Sequence, residues 1–357
     1  MQSDIGGASA PPQTPGSHDM QTKPMTEATE LELDFRAYRP ETDPVEVARI
    51  FNAANAAESG DQHSSPEEFA NFFAHPDEHF DASRDVVMVE HAGTLVAYGW
   101  QEWVDTTDGL RELRMRGFVD PEWTRRGIGT RLLHWQEARS RETATRYPTD
   151  RPRVYGTWVD EHRIGKRALL AKEGYVEARW FFDMRRDDLD RVEVPPMPDS
   201  LEIRPIGTDR DSLWKLFSAD AEAFEDHWGG FNFNEAVFQE ILDDPNFDPS
   251  LYVVAWDGDE IAGAVINALP RSENKALGRH RGWLESVFVR RPWRRRGLAA
   301  ALVARSLVVL RDAGMDHAML GVDADNPTGA LGVYERAGFK VVKRTTAYRK
   351  PMEGSVS

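Results

Sequence analysis

Residues 282–302 read GWLESVFVRRPWRRRGLAAAL, and this stretch decides the fold. The run 282–289 is apolar and of strand length, 290–296 is a turn holding five arginines, and a helical pattern starts at Gly297. The first N–H groups of a helix have no partner within it and carry partial positive charge, so they favour an anion. Gly297 and the small Ala299 let a phosphate come close to the backbone, while Arg294, Arg295 and Arg296 add a positive field. The segment therefore reads as a seat for a pyrophosphate. Taken alone it would also fit a solvated arginine face around a tight turn. Residues 117–130, GFVDPEWTRRGIGT, repeat the strand, basic turn and glycine, and the repetition argues against accident.

The repetition extends along the chain. The opening Arg39-Pro40 recurs at Arg204-Pro205, 204 − 39 = 165 residues later. A strand hairpin turning at Gly93 recurs at Gly258, again 258 − 93 = 165 apart. The basic turns end at Gly127 and Gly297, 297 − 127 = 170 apart, and a glycine–aromatic helix stop occurs at Gly174 and Gly338, 338 − 174 = 164 apart. Four ordered landmarks at one spacing mean duplication. The spacing predicts a tail over 1–33, too poor in large apolar side chains to fold, a first copy over 34–186, an extended proline-rich connector over 187–200, a second copy over 201–350 and a short tail over 351–357. Each copy has the coarse order strand, two helices, hairpin, strand, long helix, strand, helix, strand, which is a mixed α/β unit with helices covering a sheet.

Composition bounds the chemistry. At about 150 residues per domain, 357 residues make two domains. There are no cysteines, which excludes disulfides, a thiol nucleophile and thiolate metal sites, and no His-x-x-x-His or carboxylate cluster points to a metal. The net charge of 44 − 60 = −16 argues against a general nucleic-acid binder. No stretch approaches the roughly 18 apolar residues of a membrane span, and the N-terminus lacks a secretory pattern, so a cytoplasmic protein is expected.

In its glycine turns the chain resembles the GCN5-related N-acetyltransferases, whose acetyl-CoA motif is Arg/Gln-x-x-Gly-x-Gly/Ala. Arg294, Gly297 and Ala299 match all three positions; Gly127 and Gly129 match two, with Thr124 in the first. The resemblance spans both copies and implies a tandem acetyltransferase, each domain a mostly antiparallel mixed sheet flanked by helices, with acetyl-CoA as acyl donor. It implies backbone contacts to the pantetheine at Val287, Phe288 and Val289, and to the pyrophosphate at Arg295, Arg296, Gly297, Leu298, Ala299 and Ala300. A candidate second cofactor site follows at Gly117, Phe118, Val119, Arg125, Arg126, Gly127, Ile128, Gly129 and Thr130.

Acyl transfer to an amine needs an uncharged nitrogen, stabilisation of oxyanion charge and a proton for the departing thiolate. The stretch 326–339 of the second copy resembles the family segment in which an asparagine contacts the cofactor and a tyrosine is the general acid, which implies these roles for Asn326 and Tyr334. Asn326 also reads as a helix N-cap before Pro327, two turns from Tyr334 on one face. Strand alternation puts Glu285 on the face of Val287 and Val289, a candidate base or ammonium anchor. Counting back from Gly174 and Gly127, the first copy has Leu170 and Met115 at these two positions, so the second copy is the expected catalyst and the first a degenerate partner. The acceptor side is expected on the helices over 210–243, where Asp220, Glu222, Glu225, Asp226, His227 and Trp228 combine negative charge with an aromatic ring suited to a cationic amine, with Tyr348 of the last strand as a further candidate. The expected activity is direct acetyl transfer to a small-molecule primary amine by a monomer whose two copies mimic a dimer. A non-catalytic acyl-CoA-binding module and an acetyltransferase of protein N-termini or lysines are the alternatives.

Overall fold

The computed structural model describes residues 31–353 except 59, 226, 231, 232, 327 and 328. The expected tail over 1–33 therefore lies almost wholly outside the described residues, as do Pro327, Asp226 and the last four residues of the C-terminal tail. The first run of elements is β1 (Asp34–Ala37), α1 (Asp43–Ala57), α2 (Pro66–Phe72), α3 (Ala82–Asp85), β2 (Val86–His91), β3 (Thr94–Asp105), β4 (Arg111–Val119), α4 (Ile128–Arg146), β5 (Arg153–Asp160), α5 (Ile164–Lys172) and β6 (Val176–Asp187). The second is β7 (Glu202–Ile203), α6 (Arg210–Phe224), α7 (Glu235–Asp243), β8 (Val253–Asp257), β9 (Glu260–Ala268), α8 (Arg271–Leu277), β10 (Arg281–Val289), α9 (Leu298–Asp312), β11 (His317–Asp323), α10 (Ala330–Arg336) and β12 (Lys340–Pro351). This is the mixed α/β order that the repeated landmarks imply.

All twelve strands form one mostly antiparallel sheet, ordered β1-β2-β3-β4-β5-β12-β6-β11-β10-β9-β8-β7. Its centre holds an exchange: β6 lies between β11 and β12, and β12 lies between β5 and β6. Each run of elements thus gives its last strand to the neighbourhood of the other. A fragment starting at 201 would lose the strand that separates β11 from β12. The exchange also moves Tyr348. Alternation alone left its side open, and the structure packs it with Trp103, Leu113, Tyr155 and Leu170 in the core beneath the first copy, its hydroxyl donating to Glu177 at 3.0 Å. It does not line the second copy's acceptor side.

Helices cover both faces. α9 buries Leu298, Leu302, Val303, Leu307 and Leu310, spaced as one helical stripe, against Leu284, Ala318 and Leu320 of the sheet. The opposite face packs Leu213, Leu216, Phe217 and Phe238 of α6 and α7 on Ile266 and Phe288.

A buried ionic network crosses between the copies. Arg281, 2% exposed, donates from Nη1 to Asp61 Oδ2 at 2.6 Å and from Nη2 to the Asp61 carbonyl at 2.9 Å, and pairs with buried Glu273. Removing Arg281 leaves buried Glu273 without its counter-charge, while Asp61 keeps Arg279 and Lys343 nearby. Arg281→Met should cost about 3 kcal/mol of unfolding free energy, read from the shift in denaturant midpoint; a shift below about 0.5 kcal/mol would show that the network contributes little.

Candidate active site

The site grows from a split in the sheet. β10 and β11 pair in parallel only over Arg281–Leu284, and past Leu284 the strands separate. The N–H of Arg290 bonds back to Ala262 on the β9 side, so alternation turns the backbone of Val287 and Val289 toward the gap. β4 and β5 separate in the same way after Arg114, leaving Gly117 and Val119 on the corresponding edge. A strand edge of this kind is a row of free hydrogen-bonding groups for an extended ligand.

The gap leads to the glycine turn. Gly297, at φ 84°, is the N-cap of α9 and caps nothing with a side chain; the first helical bond runs from Ala301 N–H to its carbonyl. The N–H groups of Leu298, Ala299 and Ala300 consequently lack helical partners. Gly127 and α4 repeat the arrangement, with φ 81° and a first bond from Arg131. Arg295 and Arg125 both adopt left-handed backbone, φ 62° and 59°, a strained conformation held twice at one place. The uncapped helix starts fit an anionic group. A Cβ on Gly297 would meet no protein atom within 4 Å, so the penalty of substitution is conformational. Gly297→Val should lower stability by about 1–2 kcal/mol and weaken coenzyme A binding by about tenfold or more, measured by calorimetry on the full chain. Arg294 braces the turn, its Nε donating to the Val289 carbonyl at 3.0 Å and its Nη2 to that of Ala223 in α6 at 3.1 Å. Arg296 donates to the Asp199 carbonyl at 3.1 Å.

Two expectations change at the residues expected to be catalytic. β10 carries a bulge between Leu284 and Ser286, which oppose the consecutive residues Asn267 and Ile266, so Glu285 has no partner on β9 and simple alternation fails there. Leu284 lies with Val287 and Val289 in the α9-side core, whereas Ser286 turns to α6 and donates to Asp220 Oδ1 at 2.5 Å. The bulge frees Glu285 from the face assigned by counting. Its side chain is reached by solvent, yet the protein crowding around it, with the negative charges of Asp244, Glu273 and Asp183, pushes its pKa up to about 7 against a smaller opposing effect of Arg281. Burial likewise raises Asp220 to about 6, with Ser286 holding it back.

The second change concerns Asn326. α10 begins at Ala330 with Gly329, φ 73°, as N-cap, so Asn326 is not a cap and shares no helix face with Tyr334. It lies in the turn after β11, its N–H bonded to the Asp323 carbonyl at 3.1 Å. Tyr334 itself is on α10, 6% exposed, edge-on to Phe339, with its pKa raised to about 12 by burial. Its counterpart Leu170 is buried on α5, and Met115 is buried in β4, whose register with β3 runs without a bulge.

The acceptor-side residues divide. Glu222 binds Arg290 at 2.7 Å, and Glu225 lies 3.9 Å from Arg291 beside the basic turn. His227 and Trp228 turn to the other copy: the His227 carbonyl accepts from Thr107 at 2.9 Å, and the Trp228 ring packs on Phe181 under the Arg349 guanidinium at 4.2 Å. Sequence reasoning missed Arg179 and Asp183, which β6 carries into this region. Arg179 clasps Asp323 through two 2.9 Å hydrogen bonds, and Asp183 binds Lys343 at 2.6 Å. Among the described residues no group of three or more His, Cys, Asp and Glu could hold a metal, and no helix is long and apolar enough to cross a membrane.

The sequence profile of the acetyltransferase (GNAT) family matches residues 212–339. The chain is 31% identical over 265 residues to a mycothiol acetyltransferase of Geodermatophilus obscurus, covering 72% of this chain and 79% of the relative. It is 29% identical over 301 residues to a mycothiol acetyltransferase of Salinispora arenicola, covering 83% and 91%. Among solved structures, a tandem GNAT protein from the clavulanic acid biosynthesis pathway superposes with a TM-score of 0.67 at 18% identity, over 90% of this chain and 98% of that one. A GCN5-related N-acetyltransferase from Sphaerobacter thermophilus gives 0.66 at 24% identity, over 91% and 97%. These two likenesses establish the fold.

Proposed function

This chain belongs to the acetyltransferase (GNAT) family, and we propose that its second copy transfers an acetyl group from acetyl-CoA to the primary amine of a small molecule by direct attack. The observation that carries the reading is the grouping, in the second copy alone, of an open strand edge, an uncapped helix start, Glu285 and Tyr334. When bound, acetyl-CoA supplies the acetyl group as a reactive thioester. The backbone of Val287 and Val289 would hold its pantetheine, Phe288 being bonded to β9 instead, and the turn from Arg294 to Ala300 its phosphates, with Asn326 a further cofactor contact. Glu285, with a pKa near neutrality, can anchor an ammonium and accept its proton. Tyr334 keeps its proton at neutral pH and can donate a hydrogen bond to sulfur as negative charge develops there. With no cysteine in the chain, direct transfer in a ternary complex is the simplest course.

The first copy retains the turn from Arg125 to Thr130 and the edge from Gly117 to Val119, without the acid or the carboxylate. We read it as a partner that binds a coenzyme A thioester without turning it over. The exchanged strands do within one chain what a swapped dimer would do, which supports a monomer. The two relatives named mycothiol acetyltransferases make a mycothiol-type acceptor the first to try, with Glu225 on the acceptor side. The test is thiol release from acetyl-CoA across cysteinyl sugar conjugates, aminoglycosides, polyamines and lysine peptides. Saturable turnover with one small amine is expected; turnover confined to peptides would replace this reading with protein acetylation.

A further inference from the structure

The two clefts differ in the charged side chains at the strand split. At the place where β10 leaves β11, Glu285 sits among Asp244, Glu273 and Asp183. Where β4 leaves β5, the corresponding cleft has Arg116, at the position of Ser286, and Lys166 on α5. Neither Arg116 nor Lys166 has an ion pair or side-chain hydrogen bond among the described residues. Arg114 and Arg163 are nearby cations, and Glu102, Asp160 and Glu58 are the acidic groups that act on the pair. The Arg114 and Arg116 guanidinium carbons lie 5.0 and 5.3 Å from the centre of the Trp158 ring, and Arg163 stands beside them. Arg114 is tied to the Gly229 carbonyl, and Arg163 to Asn55 at 2.7 Å and Glu58 at 3.3 Å, which leaves Arg116 and Lys166 uncommitted. Burial, followed by the charges of Arg163 and Arg116, pushes the Lys166 pKa down to about 7. An arriving anion would relieve that repulsion.

Direction along the cleft identifies the ligand. A coenzyme A thioester with its phosphates at the α4 N-terminus, near Gly127, and its pantetheine on the edge from Val119 to Gly117 runs toward the point where pairing resumes, at Arg114 with Gly156. Its acyl end therefore reaches Arg116 and Lys166. We propose that the first copy is a binding site for a coenzyme A thioester whose acyl chain ends in a carboxylate, recognised by Arg116 and Lys166 over Trp158. Leu170 and Met115 leave the cleft without counterparts of Tyr334 and Glu285, so it holds this ligand without consuming it. The inference rests on the reading that the turn at Gly127 accepts coenzyme A.

Calorimetry on the full chain with coenzyme A, acetyl-CoA, succinyl-CoA and free succinate separates the cases. Two classes of site are expected, one of which prefers succinyl-CoA to acetyl-CoA by about tenfold, the worth of one charge-assisted hydrogen bond. Arg116→Met combined with Lys166→Met should abolish that preference, with acetyl transfer by the second copy and the circular dichroism spectrum unchanged. Equal affinity for the two thioesters, a preference that survives the double substitution, or free succinate binding as tightly as succinyl-CoA would overturn the proposal. A single class of coenzyme A site, unaltered by Gly127→Val, would instead overturn the cofactor reading of the first copy, and the inference with it.

Discussion

Tyr334→Phe is expected to lower kcat by about 100-fold to 1000-fold while leaving acetyl-CoA affinity within about twofold. The substitution removes one oxygen and keeps the ring that packs on Phe339 in the core, so folding should be little affected. Burial raises the phenol pKa to about 12, well above a thiol's reference value of about 8.5. Full transfer of its proton to a finished thiolate is therefore uphill. The hydroxyl must act while charge is still gathering on sulfur, and a preorganised donor in a dry site does this well. The expected signature is a fall in kcat with little change in KM for acetyl-CoA, and a deficit that shrinks when the leaving thiol is made more acidic. Unchanged turnover would remove Tyr334 from the mechanism.

Glu285→Gln is expected to lower kcat/KM for the amine by about 100-fold and to flatten the pH profile around neutrality. A carboxyl with its pKa raised to about 7 is protonated below that pH, so activity in the parent protein should fall as pH drops through 7. Glutamine has no such limb. The stability effect has its own sign. Because the folded-state pKa lies above the unfolded one, the cost of holding the anion is absent below about 4.5 and complete above about 7. Glu285→Gln should thus be neutral for stability at pH 4 and stabilising at pH 8. A variant that keeps the parent's acid limb would show that another group titrates there, with Asp220 the first to examine.

Much of this was legible in the sequence because it depends on local chemistry. The glycine turns announced themselves through residues that only a left-handed backbone and an open helix start require, and they recurred at one spacing. Tyr334 was singled out by the resemblance of residues 326–339 to a family segment, and counting back from Gly174 as from Gly338 exposed Leu170. The bulge at Glu285 was not legible. An extra residue leaves no mark on an apolar strand, and it is the mismatch with Asn267 and Ile266 on β9 that creates it. Asn326 misled because a residue of good capping chemistry preceded the helix by a turn.

The strand exchange was the least legible feature. Nothing in the last strand of either copy specifies whether it returns to its own sheet or crosses to the other. Its consequences are therefore the contacts that sequence reasoning missed: Arg179 on Asp323, Asp183 on Lys343, and Tyr348 in the first copy's core. Arg179 and Asp183 precede their partners Asp323 and Lys343 by 144 and 343 − 183 = 160 positions. His227 and Trp228, expected on the acceptor side, instead meet the turn between β3 and β4, β6 and β12.

The most direct test of the division of labour compares two substitutions in the full chain, Gly297→Val and Gly127→Val, by thiol release from acetyl-CoA with the preferred amine. Turnover at subsaturating acetyl-CoA should fall by about tenfold or more with the first and persist with the second. Turnover that survives Gly297→Val but is lost on Gly127→Val would place the chemistry in the wrong copy and contradict the account.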